Sequence, residues 1–298
     1  MALALVPLQP PDRFEPIRAL VLDAVSSPLS RAMYARALDD FFDWQGATGH
    51  GFTRAAVQAH RAHLEGQGYA PASVNQRMSA IRKLAQEAAA NGLVSFELAN
   101  SIQEVPGVKQ RGTRMGNWLT RQQTQALLDA PSPHTLKGVR DRAALALLIG
   151  CGLRRSEAVA VTVEHIQQRE GRWLIVDLGG KGGRIRSVPV PSGVKVRIDQ
   201  WTQAAGIVSG RILRSLNRGV LGERMSGQAI LDLVAEYAHI KPHDLRRTCA
   251  KLCRKAGGEL EQIQMLLGHA SIATTERYLG SEQDIEHAPN DRMHLRFS

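Results

Sequence analysis

At 298 residues the chain is longer than most single hydrophobic cores, which rarely grow past about 250–300 residues, so two domains are expected. A content of 43% hydrophobic and 22% charged residues is that of a globular protein, and the lack of an apolar run of about 18 residues excludes a transmembrane helix. The formal net charge of +10 is unevenly spread, 8 Lys+Arg against 7 Asp+Glu over residues 25–110 but 28 against 18 over 111–298, and so basic a C-terminal part calls for a polyanionic partner, nucleic acid first.

Prolines at 7, 10, 11, 16 and 28 mark a lead-in, residues 1–27, with one short helix around 17–25. Its mildly apolar start has no basic segment before it and is broken by prolines, so no signal peptide is expected. Ser30 reads as the N-cap of a helix to about 44, with Met33, Tyr34, Ala37, Phe41 and Phe42 at helical spacing and Gly46 and Gly49 as its end. Thr53 starts a second helix to about 67, with Val57, His60 and Leu64 on one side. Pro71 opens a third, 72–90, with Val74, Met78, Ile81, Leu84 and Ala88 on one face, stopped by Asn91-Gly92. A short helix near 96–102 completes a compact all-α domain, residues 28–105. Its basic residues Arg77, Arg82 and Lys83 are candidate DNA contacts. Residues 106–117 read as a linker, and Lys109, Arg111 and Arg114 suit it to lie along a phosphate backbone.

The second domain, 118–298, opens with Thr120 capping a helix to about 130. Residues 140–149 are almost wholly apolar and predict a buried helix, which ends in G-C-G-L-R-R-S-E with Arg154 and Glu157 three apart. Over 165–190 the period changes to that of a small antiparallel β-meander, with a tight turn at Glu170-Gly171 and a Gly-rich turn around Lys181. Helices resume at about 193–204, 226–239, 243–256, 259–267 and 272–278. The three cysteines, Cys151, Cys249 and Cys253, form no C-x-x-C pair and no even set, which fits a reducing, cytoplasmic setting, at the nucleoid if the source is bacterial. Cys249 and Cys253 at i, i+4 read as small core residues, and no metal site is expected.

His243 and Arg246, one helical turn apart, share a face and together grip an anion. Tyr278, nine residues after His269, offers an oxygen nucleophile that neighbouring positive charge can activate. Four motifs thus recur in order: G-L-R-R-S-E (Arg154), G-K-G-G-R-I-R-S-V-P (Lys181), H-D-L-R (His243, Arg246) and L-G-H followed by the tyrosine (His269, Tyr278). Jointly they resemble the catalytic signature of the tyrosine recombinase, or phage integrase, family of Xer type. The resemblance spans about 28–298 and is strongest over 140–280.

It implies a mainly α protein with a small β-meander: a four-helix SAM-like core-binding domain followed by a tyrosine-recombinase catalytic domain. It implies a site-specific DNA recombinase that cuts and rejoins duplex DNA through a 3′-phosphotyrosyl intermediate with no cofactor, ATP or metal. Tyr278 is then the nucleophile. Arg154 and Arg246 stabilise the charge that develops on the phosphorane oxygens. His243 acts as base, with the arginines lowering the phenol pKa, and His269 donates to a non-bridging oxygen. Lys181 protonates the leaving 5′-oxygen. Glu157 supports Arg154, and Arg155 joins the candidate DNA contacts. Two-domain relatives clamp duplex DNA as dimers and tetramers, with a tail like 279–298 (anchors Ile285, Leu295, Phe297) docked on the neighbour. Residues 1–29 are too short for the extra arm-binding domain of larger integrases, so a minimal two-domain form is expected. The other readings are a type IB topoisomerase-like nicking-closing enzyme, which shares this chemistry, and a catalytically inactive DNA-binding regulator. Relatives serve integration, excision, dimer resolution and transposition alike, and the target sequence does not follow from the chain.

Overall fold

The computed structural model describes residues 15–109, 117–180 and 183–279. The chain divides between residues 113 and 114 into two compact units, each with its own core.

In the first unit α1 (Glu15–Asp23), α2 (Pro28–Thr48), α3 (Arg54–Gly66), α4 (Pro71–Ala90) and α5 (Phe96–Gln103) surround Phe41, Val74, Met78, Ile81, Leu84 and Ile102. Burying one such side chain contributes about 1.5–3 kcal/mol. α2 corrects the sequence reading at both ends. Its cap is Ser27, whose hydroxyl accepts from the Ser30 N–H at 3.4 Å, because Pro28 is pre-set for the first helical position. It runs through Gly46, and Gly49, in the left-handed region at φ 68°, ends it. His60 is buried against Phe41, with ring centroids 5.0 Å apart, and burial pushes its pKa down to about 4, so it serves the core as a neutral ring. Asn75 fixes the chain after α5 by donating to the Val108 carbonyl at 2.9 Å and accepting from its N–H at 2.8 Å.

In the second unit α6 (Arg121–Asp129) carries a capping box, Thr120 with Gln123. α7 (Leu136–Gly150) runs through the core with every residue from Ala143 to Ile149 buried, which explains its unbroken apolar text. The short α8 (Arg155–Ala158) and a 3₁₀ turn lead to the meander of β1 (Ile166–Arg169), β2 (Arg172–Gly179) and β3 (Ile185–Pro189), antiparallel in that order. Glu170 and Gly171, at φ 50° and 76°, make the two-residue turn between β1 and β2. The register shifts between Ile175 and Leu178, where Asp177 also has positive φ, and beyond that bulge Leu178 pairs with Arg186.

α9 (Ser192–Ala204) then packs on α7. Its Trp201, fully buried, donates Nε1–H to the Ile212 carbonyl at 2.7 Å. A second hairpin absent from the sequence reading follows, β4 (Leu216–Asn217) and β5 (Val220–Leu221). It turns through Arg218-Gly219, and two-residue strands are too short to show an alternation. α10 (Gly227–Tyr237), α11 (Pro242–Lys255), α12 (Leu260–Leu267) and α13 (Ile272–Leu279) complete the unit. Ala250, Ile263, Leu267 and Leu279 form a small satellite cluster against which Tyr278 is packed.

Candidate active site

The site is built around one buried carboxylate. Glu157, 2% exposed, closes the start of α8 by accepting the Arg154 backbone N–H at 2.8 Å, and takes the Arg154 guanidinium at 2.6 Å with its other oxygen. Glu157 thus closes the helix start and holds the Arg154 side chain at once. Arg186 on β3 donates to the two Glu157 oxygens at 3.0 and 2.9 Å, and Arg246 on α11 lies 3.8 Å away. Burial alone would raise the Glu157 pKa, but the hydrogen bonds from Arg186 and Arg154 hold it down at about 2.

The same three arginines cap the C-terminal end of α12. Arg186 Nε donates to the Leu266 carbonyl at 3.2 Å, Arg246 to the Leu267 carbonyl, and Arg154 to the Gly268 carbonyl at 3.4 Å. Helix C-termini leave such carbonyls unpaired and carry partial negative charge, so three cations are accommodated together there. Arg246 also donates to the Gly152 carbonyl and is 1% exposed, and burial lowers its pKa to about 10.

Gly268 ends α12 at φ 61°, which allows the His269 N–H to reach back to the Gln264 carbonyl at 3.1 Å while the Gln264 amide donates to the His269 carbonyl at 3.2 Å. The His269 ring contacts the buried Thr275 hydroxyl through Nδ1 at 3.0 Å, which leaves Nε2 for a substrate. Burial and the nearby arginines Arg246 and Arg154 bring its pKa to about 4, so the ring is neutral near pH 7. The rings of His243 and His269 stand edge-on to the Tyr278 ring, with centroids 5.2 and 5.1 Å from it. The Tyr278 hydroxyl donates to the His243 backbone carbonyl at 3.0 Å, not to its imidazole. The His243 pKa is lowered by burial, then by Arg246 and Arg247.

One electrostatic expectation is corrected. The arginines do favour the phenolate, but burial outweighs them and the Tyr278 pKa is pushed up to about 12. Arg247, whose guanidinium carbon lies 5.1 Å from the Tyr278 ring centroid, was missed in the sequence, as were Arg186 and Thr275. For Arg186 a signal existed. Strand alternation puts Arg186 on the inward side with Val188 and leaves Ile185 70% exposed, the reverse of the usual pattern. An open cavity of about 300 Å³, lined among others by Arg154, Arg184, Arg186, Gln264 and His269, lies beside this cluster.

Lys181, Arg111, Arg114 and the tail anchors Ile285, Leu295 and Phe297 fall outside the described residues. Among the candidate DNA contacts, Arg77 is bonded to Asp40 at 3.1 Å, Arg82 to the Val105 carbonyl at 2.6 Å, and Lys83 to Glu87 at 2.6 Å. Lys109 and Arg155 are exposed. Cys151 and Cys249 are buried thiols, and no group of metal-ligating side chains occurs among the described residues.

A helical unit followed by a helical unit with a β-meander carries a carboxylate-centred cluster of three arginines, with two histidines and a tyrosine beside it. The chain belongs to the phage integrase family of tyrosine recombinases, site-specific DNA recombinases: the model "Phage integrase family" matches residues 117–284 and "Phage integrase, N-terminal SAM-like domain" matches 17–92. It is 30% identical over 279 residues to tyrosine recombinase XerD of Pseudomonas aeruginosa, covering 90% of this chain and 91% of that protein. To tyrosine recombinase XerC of Salmonella typhi it is 29% identical, with 94% of each chain covered. Among solved structures, a lambda integrase dimer bound to a COC′ core site matches with a TM-score of 0.68 at 17% identity, over 90% of this chain and 75% of that one. XerH bound to a palindromic difH substrate matches with a TM-score of 0.67, also at 17% identity, over 86% and 77%. At this identity the likeness to these structures is one of fold.

Proposed function

We propose that this recombinase cuts and rejoins duplex DNA at a specific site through a 3′-phosphotyrosyl link to Tyr278. The observation that carries the reading is the gathering of Arg154, Arg246, His243 and His269 around that tyrosine, with the guanidiniums fixed by Glu157 and the α12 carbonyls. Tyr278 Oη attacks phosphorus and its proton passes to His243. The P–O5′ bond breaks, and Lys181 gives its proton to the leaving oxygen. The two arginines and His269 meet the charge developing on the non-bridging oxygens. One phosphodiester is exchanged for another, so no ATP is consumed, and attack by a 5′-hydroxyl of a different strand completes the transfer.

Because the phenol is engaged by the His243 carbonyl, DNA binding has to release that hydrogen bond before the hydroxyl meets the phosphate. Double-stranded DNA is the substrate. Dimers and tetramers form on it through the segment after Leu279, and Lys109 and Arg155 are the exposed phosphate contacts. XerH bound to a difH substrate and the lambda integrase dimer bound to a COC′ core site support DNA as the partner.

A random-sequence duplex library carrying nicks should yield SDS-stable adducts with the wild-type protein and none with Tyr278→Phe. Wild-type protein that captures nothing, or a Phe variant that still does, refutes the assignment. Two-site substrates give Holliday junctions with a recombinase, whereas relaxation of plasmid without junctions would mark a topoisomerase-like enzyme.

A further inference from the structure

Arg186 is fully engaged with the site, yet strand cleavage as proposed gives it no task. Three of its N–H groups point into the protein, two at Glu157 and one at the Leu266 carbonyl, and its side chain is 12% exposed against 27% for Arg154. Those three donors are thus taken up by protein atoms, two of them by the one carboxylate. It also lies against Gly268: a Cβ there would sit 2.8 Å from Arg186 Cδ and 3.0 Å from Nε. Arg186 comes five residues after Lys181, on the strand that leaves the β2–β3 turn. One planar guanidinium therefore joins three separate pieces of chain: β3, the α8 start with Arg154, and the α12 end with His269.

We propose that Arg186 is a positioning residue, a fork that fixes Glu157 and the α12 terminus to β3 so that Arg154 and His269 act on the same phosphate. The inference rests on the reading of the site given above. Only an arginine offers two parallel donors to a carboxylate and a third, in the same plane, to a carbonyl; a lysine offers a point charge. Because the fork works through Glu157, removal of either partner disables the same device, and their effects will not multiply. A misplacement of about 1 Å in such a constellation costs on the order of 100-fold in rate.

Duplexes captured by the wild-type protein supply the substrate for single-turnover cleavage. Failure of that capture is failure of the proposed function, and takes this inference with it; the comparison of variants tests the inference alone. Arg186→Gln should cleave about 100-fold more slowly while its duplex affinity, measured in a Tyr278→Phe background, stays within about 3-fold. Glu157→Gln should lose a similar factor, and the double variant should be no more than about 3-fold slower than the slower single variant. Arg186→Lys, with charge but no fork, should regain only part of the rate. Cleavage by the Gln variant within about 3-fold of wild type, losses that multiply in the double variant, or full rescue by lysine would each overturn the proposal. Should Arg186→Gln fail to fold by circular dichroism, the lysine variant is decisive: slow cleavage with retained affinity supports the fork, and a wild-type rate refutes it. Unfolding of both variants also overturns it, since Arg186 would then serve the fold and not the site.

Discussion

A buried carboxylate facing three guanidiniums lets cations stand together where they would otherwise repel, and their combined charge reaches the neighbouring imidazoles. His243 and His269 both have lowered pKa values and are neutral near pH 7, the state that the proposed base role of His243 requires. Around His243 the charged and titratable groups include Arg246 and Arg247 on its own helix, Asp244 beside it, Arg154 before α8, His269 after α12 and Tyr278 on α13. Cations disfavour its protonated form, so taking one away raises its pKa. Arg247→Gln should accordingly move the acid limb of the single-turnover cleavage profile to higher pH, slowing the reaction near pH 6 more than near pH 8. An unmoved limb would show that Arg247 does not tune His243. The same substitution removes a cation that favours the Tyr278 phenolate, so it gives no acceleration at any pH.

At the scale of elements, the end of α12 sets the site more than any strand or loop. Its last carbonyls receive Arg186, Arg246 and Arg154 in residue order, and Gly268 at φ 61° turns the chain so that His269 follows immediately. A side chain at 268 meets two obstacles, the left-handed backbone and the Arg186 side chain. Arg186 cannot swing aside without giving up Glu157. Gly268→Ala should therefore lower stability by about 1–3 kcal/mol, read from chemical denaturation. Its cleavage rate should fall further than that loss explains, because His269 and all three guanidiniums move with the cap. A variant as active and as stable as wild type would mean the cap is not what holds them.

For the whole molecule the uneven charge predicts that phosphate contacts come mainly from the C-terminal part. Residues 111–298 carry 28 basic against 18 acidic side chains, while residues 25–110 are nearly balanced. Within the first unit Arg77 and Arg82 are bonded to Asp40 and to the Val105 carbonyl, so their guanidiniums are spent on the fold. Phosphate contacts made mainly by the basic part release counterions, and a protein making about 6–10 of them loses roughly 10³–10⁵ in affinity between 50 and 200 mM salt. Filter-binding isotherms of the full chain on captured duplex should show such a slope; a flat response would contradict a phosphate-dominated interface. Arg82→Gln should lower stability and leave the slope unchanged, whereas Arg155→Gln should reduce it by about one.

The sequence by itself determined the helices with strong periodicity and clear caps, because local spacing and the chemistry of Thr53, Thr120 and Gly92 depend on neighbours within one or two turns. It also determined which residue types were available for the chemistry, since Arg154, His243, Arg246, His269 and Tyr278 stand in motifs whose order can be read along the chain. Only the tertiary structure decided how they meet. Arg186 lies 29 residues from Glu157 and 80 from Leu266, and no local rule links them. Whether the arginines or burial controls Tyr278 likewise depended on how deeply α13 packs against the cluster of Ala250, Ile263 and Leu267. Spacing along a chain reports which groups share a helix face; the balance between desolvation and charge is set by contacts across the fold, and that balance sets the Tyr278 pKa.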